Sequence, residues 1–143
     1  MFSGTTYPKL DDKGRLIIPA KFRELLDGPV YVTKSQDYGL AIYTTKEFEL
    51  LTTQLSQART STVSARFFVR QMISSAELQV PDKQGRISIA GHLRDYAKLN
   101  RDLVVVGNIN KVEVFDAEIW NKMMAEQDDL FANRDEEVIP GVF

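Results

Sequence analysis

Two short stretches set a carboxylate and a guanidinium at one fixed spacing, with glycine just before the arginine: Asp11-Asp12-Lys13-Gly14-Arg15 and Asp82-Lys83-Gln84-Gly85-Arg86. A carboxylate beside an arginine holds its guanidinium in one orientation. The planar fork then matches two acceptors at once, as on a phosphate or on the O6 and N7 edge of guanine. The plainer reading is an ion pair that only fixes a turn. An exposed pair contributes about 0–1 kcal/mol, too little by itself to account for a duplicated pattern. Other chemistries lack their residues. The chain has no cysteine and a single histidine, His92, so disulfides, thiolate metal sites and histidine metal clusters are not expected. The paired acids Asp11-Asp12 and Asp128-Asp129 fall in the repeated turn and in an acidic C-terminal stretch. No glycine-rich phosphate loop or nucleophile elbow is present. Neither an enzyme, a cofactor, a metal nor a small-molecule substrate is expected.

Each motif heads a copy of one larger unit. Leu16-Ile17-Ile18 recurs as Ile87-Ser88-Ile89, Val30–Thr33 as Leu103–Val106, and Leu40-Ala41-Ile42-Tyr43 as Val112-Glu113-Val114-Phe115. Gly14 and Gly85 allow positive φ in the turns, and the aliphatic runs after them read as short strands. Pro19 suits a first helical position, which predicts a short helix over about 20–26, closed ahead of Gly28. The second copy has Ala90-Gly91 there and leaves its helix start open. Thr44 with Glu47 reads as a capping box and Asp116 as an N-cap, predicting helices over 45–56 and 117–126. Between the copies, Val63, Phe67, Val69, Met72 and Ile73 fit helical spacing better than alternation. Arg66 and Arg70 take the other side, as a solvated face or a subunit interface. Phe22, Phe48, Phe67, Phe68 and Trp120 fall on apolar stripes and read as core or interface, not as base-stacking platforms. The organisation is a first repeat over 1–57, a linker helix over 58–75, a second repeat over 76–126, and a mobile acidic tail over 127–143.

The 143 residues, 43% of them hydrophobic and 27% charged, describe an ordinary soluble α+β chain able to bury a core. Net charge is −2, which at first argues against a nucleic-acid partner, but the distribution matters more than the sum. Glu126, Asp128, Asp129, Asp135, Glu136 and Glu137 face the single base Arg134, so residues 1–125 are net basic. No apolar run is long enough to span a membrane, and no secretory signal is visible, so the expected compartment is the cytoplasm.

The unit Asp-x-x-Gly-Arg-aliphatic-x-Ile-Pro-x-x-x-Arg resembles the AbrB family of swapped-hairpin DNA-binding proteins. The chain as a whole resembles the MraZ family more closely, through the opening Met1-Phe2-x-Gly4, two such motifs in register, and a helical linker, over about residues 1–125. That resemblance implies a pseudo-twofold β-barrel from two tandem repeats with flanking helices. It also implies a homo-oligomer, in ring form, bound to repeated boxes in double-stranded promoter DNA. The expected function is a nucleoid-associated regulator repressing its own operon and the neighbouring division and cell-wall genes. Carried over by motif, Arg15 and Arg86 are the DNA contacts, Asp11 and Asp82 their partner acids, and Lys13 and Lys83 lie in the same turns. Lys21, Arg23 and Arg94 lean towards phosphate contacts, with a solvated helix face as the alternative. Ser88 and Ala90 depart from the pattern in the second copy. A protein-interaction module of antitoxin type is the competing reading, and a general architectural DNA binder a third.

Overall fold

Each repeat supplies four strands and two helices in the same order, and the computed structural model, which describes residues 1–143, interleaves them. The first repeat contributes β1 (Thr5–Thr6), β2 (Arg15–Ile17), α1 (Ala20–Arg23), β3 (Val30–Lys34), β4 (Leu40–Thr44) and α2 (Thr45–Gln57). Helix α3 (Val63–Ser75) connects it to β5 (Glu77–Gln79), β6 (Arg86–Ser88), α4 (Gly91–Ala97), β7 (Leu103–Asn108), β8 (Lys111–Asp116) and α5 (Ala117–Ala132). Six strands form one antiparallel sheet in the order β1-β7-β8-β4-β3-β5, while β2 and β6 pair only with each other. Read from either end, the order meets equivalent strands of the two repeats, so the sheet has a pseudo-twofold arrangement. The first strand of each repeat hydrogen-bonds to the third strand of the other.

The strands therefore make a six-stranded sheet and a two-stranded ribbon, not the closed barrel that the resemblance implies. The sheet ends in β1 and β5, of 2 and 3 residues, and no pairing joins these two edges. Both strands are too short to show an alternating pattern, and they were not among the predicted elements. The linker is helical only from Val63: Ala58 is extended, and the Thr62 side chain accepts from Ala65 N to start α3. Helix α5 continues through Ala132, past Glu126, where the sequence places the start of a mobile tail. Met123–Ala132 contains no glycine, proline or β-branched residue, so nothing interrupts the helix there. The open question at Ala90 is also resolved. Ala90 takes φ −56° and ψ 147°, close to the φ −54° and ψ 137° of Pro19, and α4 starts as α1 does.

The core forms where the ribbon lies over the sheet. Leu16, Ile18, Ile87 and Ile89 bury against Val30, Val32, Leu40, Ile42, Val105, Val112 and Val114, with Phe22 and Leu93 inserted from α1 and α4. Both repeats feed this one main cluster, and each adds only a small one of its own, Ala41, Tyr43 and Phe48 in the first and Val104, Val106 and Phe115 in the second. By contrast, α3 leaves Val63, Phe67, Phe68 and Ile73 exposed and buries only Ser75 fully. Ser75 is used: its Oγ accepts from Lys34 N at 2.9 Å, at the end of β3. Truncation of a buried leucine costs about 2–5 kcal/mol. We expect Leu16→Ala and Leu93→Ala, one in each repeat, to lower the same single urea transition by that amount. Two separable transitions would show instead that each repeat holds its own core.

Candidate nucleic-acid interface

The two Asp-x-x-Gly-Arg tips are near copies in space as well as in sequence. Asp11 Oδ1 accepts from Lys13 N at 2.9 Å and from Arg15 N at 2.8 Å, and its Oδ2 accepts from Arg15 Nε at 2.7 Å. Asp82 repeats this with Gln84 N, Arg86 N and Arg86 Nε at 2.9, 2.9 and 2.7 Å. Backbone bonds from Gly14 N to Asp11 O and from Gly85 N to Asp82 O close the turns, which need the positive φ of 73° and 77° that glycine supplies. The Arg15 backbone N–H, aided by its guanidinium, holds the Asp11 carboxyl below its ordinary value of 3.8. The Arg86 backbone N–H and then its side chain do the same for Asp82. Each arginine spends only Nε on its aspartate, and the terminal amino groups have no protein acceptor. Each tip thus presents an aimed guanidinium with its donors to spare.

The ribbon places the two arginines on one face. Its register pairs Arg15 with Ser88, Leu16 with Ile87, and Ile17 with Arg86. Leu16 and Ile87 point into the core, so alternation sends Arg15, Ile17, Arg86 and Ser88 to the outer face. Arg15 and Arg86 are diagonal neighbours there, at a Cα separation of about 7–8 Å for such a pair. Backbone bonds from Ile18 N to Gly85 O at 2.8 Å and from Ile89 N to Gly14 O at 2.9 Å tie each strand end to the opposite tip. A two-stranded ribbon of this kind is narrow enough to enter a DNA major groove.

The other candidate residues separate into two groups. Lys13, Lys83 and Lys21 are exposed, and none forms an ion pair. Lys83 stands where the first tip has Asp12, and Gln84 where it has Lys13, so the two lysines occupy different points of their tips. The Lys21 ammonium lies over the backbone of Gly4. Arg23 and Arg94 are already engaged: Arg23 Nη2 donates to Ile18 O at 2.8 Å, and Arg94 Nε donates to Ile89 O at 3.0 Å. Two residues on the outer face escaped the sequence reading, Ile17, half exposed at 50%, and Ser88. The signal for them was the strand alternation, which places them beside the arginines once the register is known. His92 sits apart, its Nε2 3.3 Å from Ser75 O.

No helix is long and apolar enough to cross a membrane, and no cluster of three His, Cys, Asp or Glu residues is placed to hold a metal ion. The family described as "MraZ protein, putative antitoxin-like" matches the chain twice, over residues 1–71 and 72–140. Among similar proteins, one from Salinispora tropica named Transcriptional regulator MraZ is 49% identical over 142 residues, covering 99% of this chain and 100% of the relative. Proteins of the same name from Leifsonia xyli subsp. xyli and Mycolicibacterium smegmatis are 46% and 45% identical, covering 100% and 97% of both chains in each pair.

The lowered aspartate values have a definite sign. A carboxyl whose folded value is depressed lends order above its unfolded value and loses it as pH falls through the folded one. Both tips should therefore stay ordered at neutral pH and loosen only below 3.8. Carbon-detected NMR titration should place the Asp11 and Asp82 midpoints both under that value, and a midpoint at or above it for either would contradict the tip geometry.

Proposed function

The chain belongs to the MraZ family, whose members compared above carry the name transcriptional regulator, and on that premise we propose that it is a non-catalytic, sequence-specific DNA-binding regulator that reads promoter DNA with the β2–β6 ribbon. The observation that carries this reading is the shared outer face, where Arg15 and Arg86 stand as diagonal neighbours, each steered by its own aspartate. In a major groove their free N–H groups meet guanine O6 and N7, while Lys13, Lys83 and Lys21 set the phosphate register. The half-exposed Ile17 suits a thymine methyl between them.

One ribbon of three residue pairs is a small reader, so affinity comes from several copies engaging repeated boxes together. The exposed Val63, Phe67, Phe68 and Ile73 on α3 support assembly into a homo-oligomer, in which that apolar face is covered. The function we assign is repression of its own operon and the adjacent division and cell-wall genes, in the cytoplasm at the nucleoid. The exchange of strands between repeats supports a swapped-hairpin relationship between the two halves. A second reading, a protein-interaction module of antitoxin type, is favoured by the same exposed α3 face together with the acidic C-terminal segment.

Gel-shift titration against multi-box promoter DNA separates the two. Arg15→Ala and Arg86→Ala should each weaken binding by about tenfold to a hundredfold, the worth of a bidentate guanine contact. Affinity should fall with salt at a slope of about −0.9 per phosphate contacted. Unchanged binding by the double variant would overturn the proposal.

A further inference from the structure

Gly14 and Gly85 are buried, although Asp12, Lys13, Lys83 and Gln84 beside them are exposed. What covers each glycine comes from the opposite repeat. A methyl group placed on Gly85 would lie 2.7 Å from Arg23 Nε and 3.0 Å from its Cζ. One placed on Gly14 would lie 2.9 Å from both Nε and Cζ of Arg94. Each guanidinium therefore rests on the backbone of the other repeat's tip. Each also donates to a carbonyl of its own repeat, Arg23 to Ile18 O and Arg94 to Ile89 O, and no carboxylate pairs with either. The same residues close the circuit through the backbone, since Ile18 N donates to Gly85 O and Ile89 N to Gly14 O.

We propose that Arg23 and Arg94 are positioning residues acting across the pseudo-twofold: Arg23 in α1 holds the tip that aims Arg86, and Arg94 in α4 holds the tip that aims Arg15. The planar guanidinium suits this role. It covers the open side of a glycine while donating to a carbonyl, with several donors fixed in one plane that a lysine ammonium lacks. The glycines then serve two needs at once, positive φ and an open face for the opposing arginine. The consequence for DNA reading rests on the function proposed above, but the positioning itself is a property of the free protein.

Amide hydrogen exchange on the DNA-free full chain tests it. Arg94→Ala should speed exchange at the amides of residues 13–15 and of Ile89 by about tenfold, the change expected for one lost hydrogen bond. The tip at 84–86 should stay as it was. Arg23→Ala should do the reverse, loosening 84–86 and Ile18 and sparing 13–15. Arg94→Lys and Arg23→Lys, milder variants that retain the charge, should show the same crossed pattern. Loosening of the tip in the same repeat as the substitution would overturn the proposal, and so would full protection in the lysine variants. Unaltered exchange in the alanine variants, with a DNA-binding salt slope reduced by about one, would mark both residues as direct phosphate contacts instead. The exchange measurement needs no DNA, so a failure to bind promoter DNA would strike the functional reading alone.

Discussion

Strand β2 has no strand partner within its own repeat: Arg15 N and O turn back to Asp11, and the inter-strand ladder is made with β6 alone. Buried backbone groups left unpaired are costly, so the two repeats are obliged to meet at this ribbon. Everything at the candidate site follows from that meeting. The register fixes which side chains turn outward, and the inward pair Leu16 and Ile87 anchors the ribbon in the core. The strand ends then bond to the opposite tips, so that the position of one arginine depends on the backbone of the other repeat. A one-residue slip would turn the arginines towards the core and the leucine and isoleucine towards water, which makes the register self-enforcing.

The sequence made the parts legible and left their partners hidden. Glycine before arginine, aliphatic runs after it, and Thr44 and Asp116 as caps all act over a few residues, and the corresponding turns, strands and helices are found where the spacing puts them. Strand pairing is a long-range property. Nothing in the residues around Arg15 says that Ser88 lies opposite, so the closeness of the two arginines had to come from the structure. For the same reason the sequence offers Arg23 and Arg94 only as a solvated helix face or as phosphate contacts, and is silent on the neighbours that distant pairing brings them, the Ile18 and Ile89 carbonyls and a glycine from the other half. Strands β1 and β5 were invisible because two or three residues cannot display a period. The extra turns of α5 are hidden for a different cause: an acidic composition signals mobility, although its residues are tolerant of helix.

The electrostatic design of the tips also explains how a chain of net charge −2 can present a cationic contact. At a distance, each aspartate cancels much of the field of its arginine. At contact the two are not equivalent: the carboxylate is occupied by backbone N–H groups and Nε, while the terminal guanidinium nitrogens remain donors. On the function proposed above, such a site would attract weakly from afar and discriminate at close range, since direction matters more than charge once water is displaced. None of the acidic residues beyond Glu126 forms an ion pair with the tip residues.

The crossing of strands between repeats sets a schedule for how the molecule can be made. Thr6 donates through Oγ1 to the carbonyl of Val105, across 99 positions of chain. Gly107, in turn, has no room for a side chain because the Phe2–Ser3 backbone passes against it. The segment around β1 therefore has nowhere to dock until β7 has been synthesised. Until β6 emerges, the nascent first repeat leaves the ribosome with β2 unpaired and with the core-facing side of β3 and β4 lacking its cover from the second repeat, a slow, non-local path to the native state. A product cut short before β7 would therefore lack a partner for its own first strand, whatever the length of sequence already in hand.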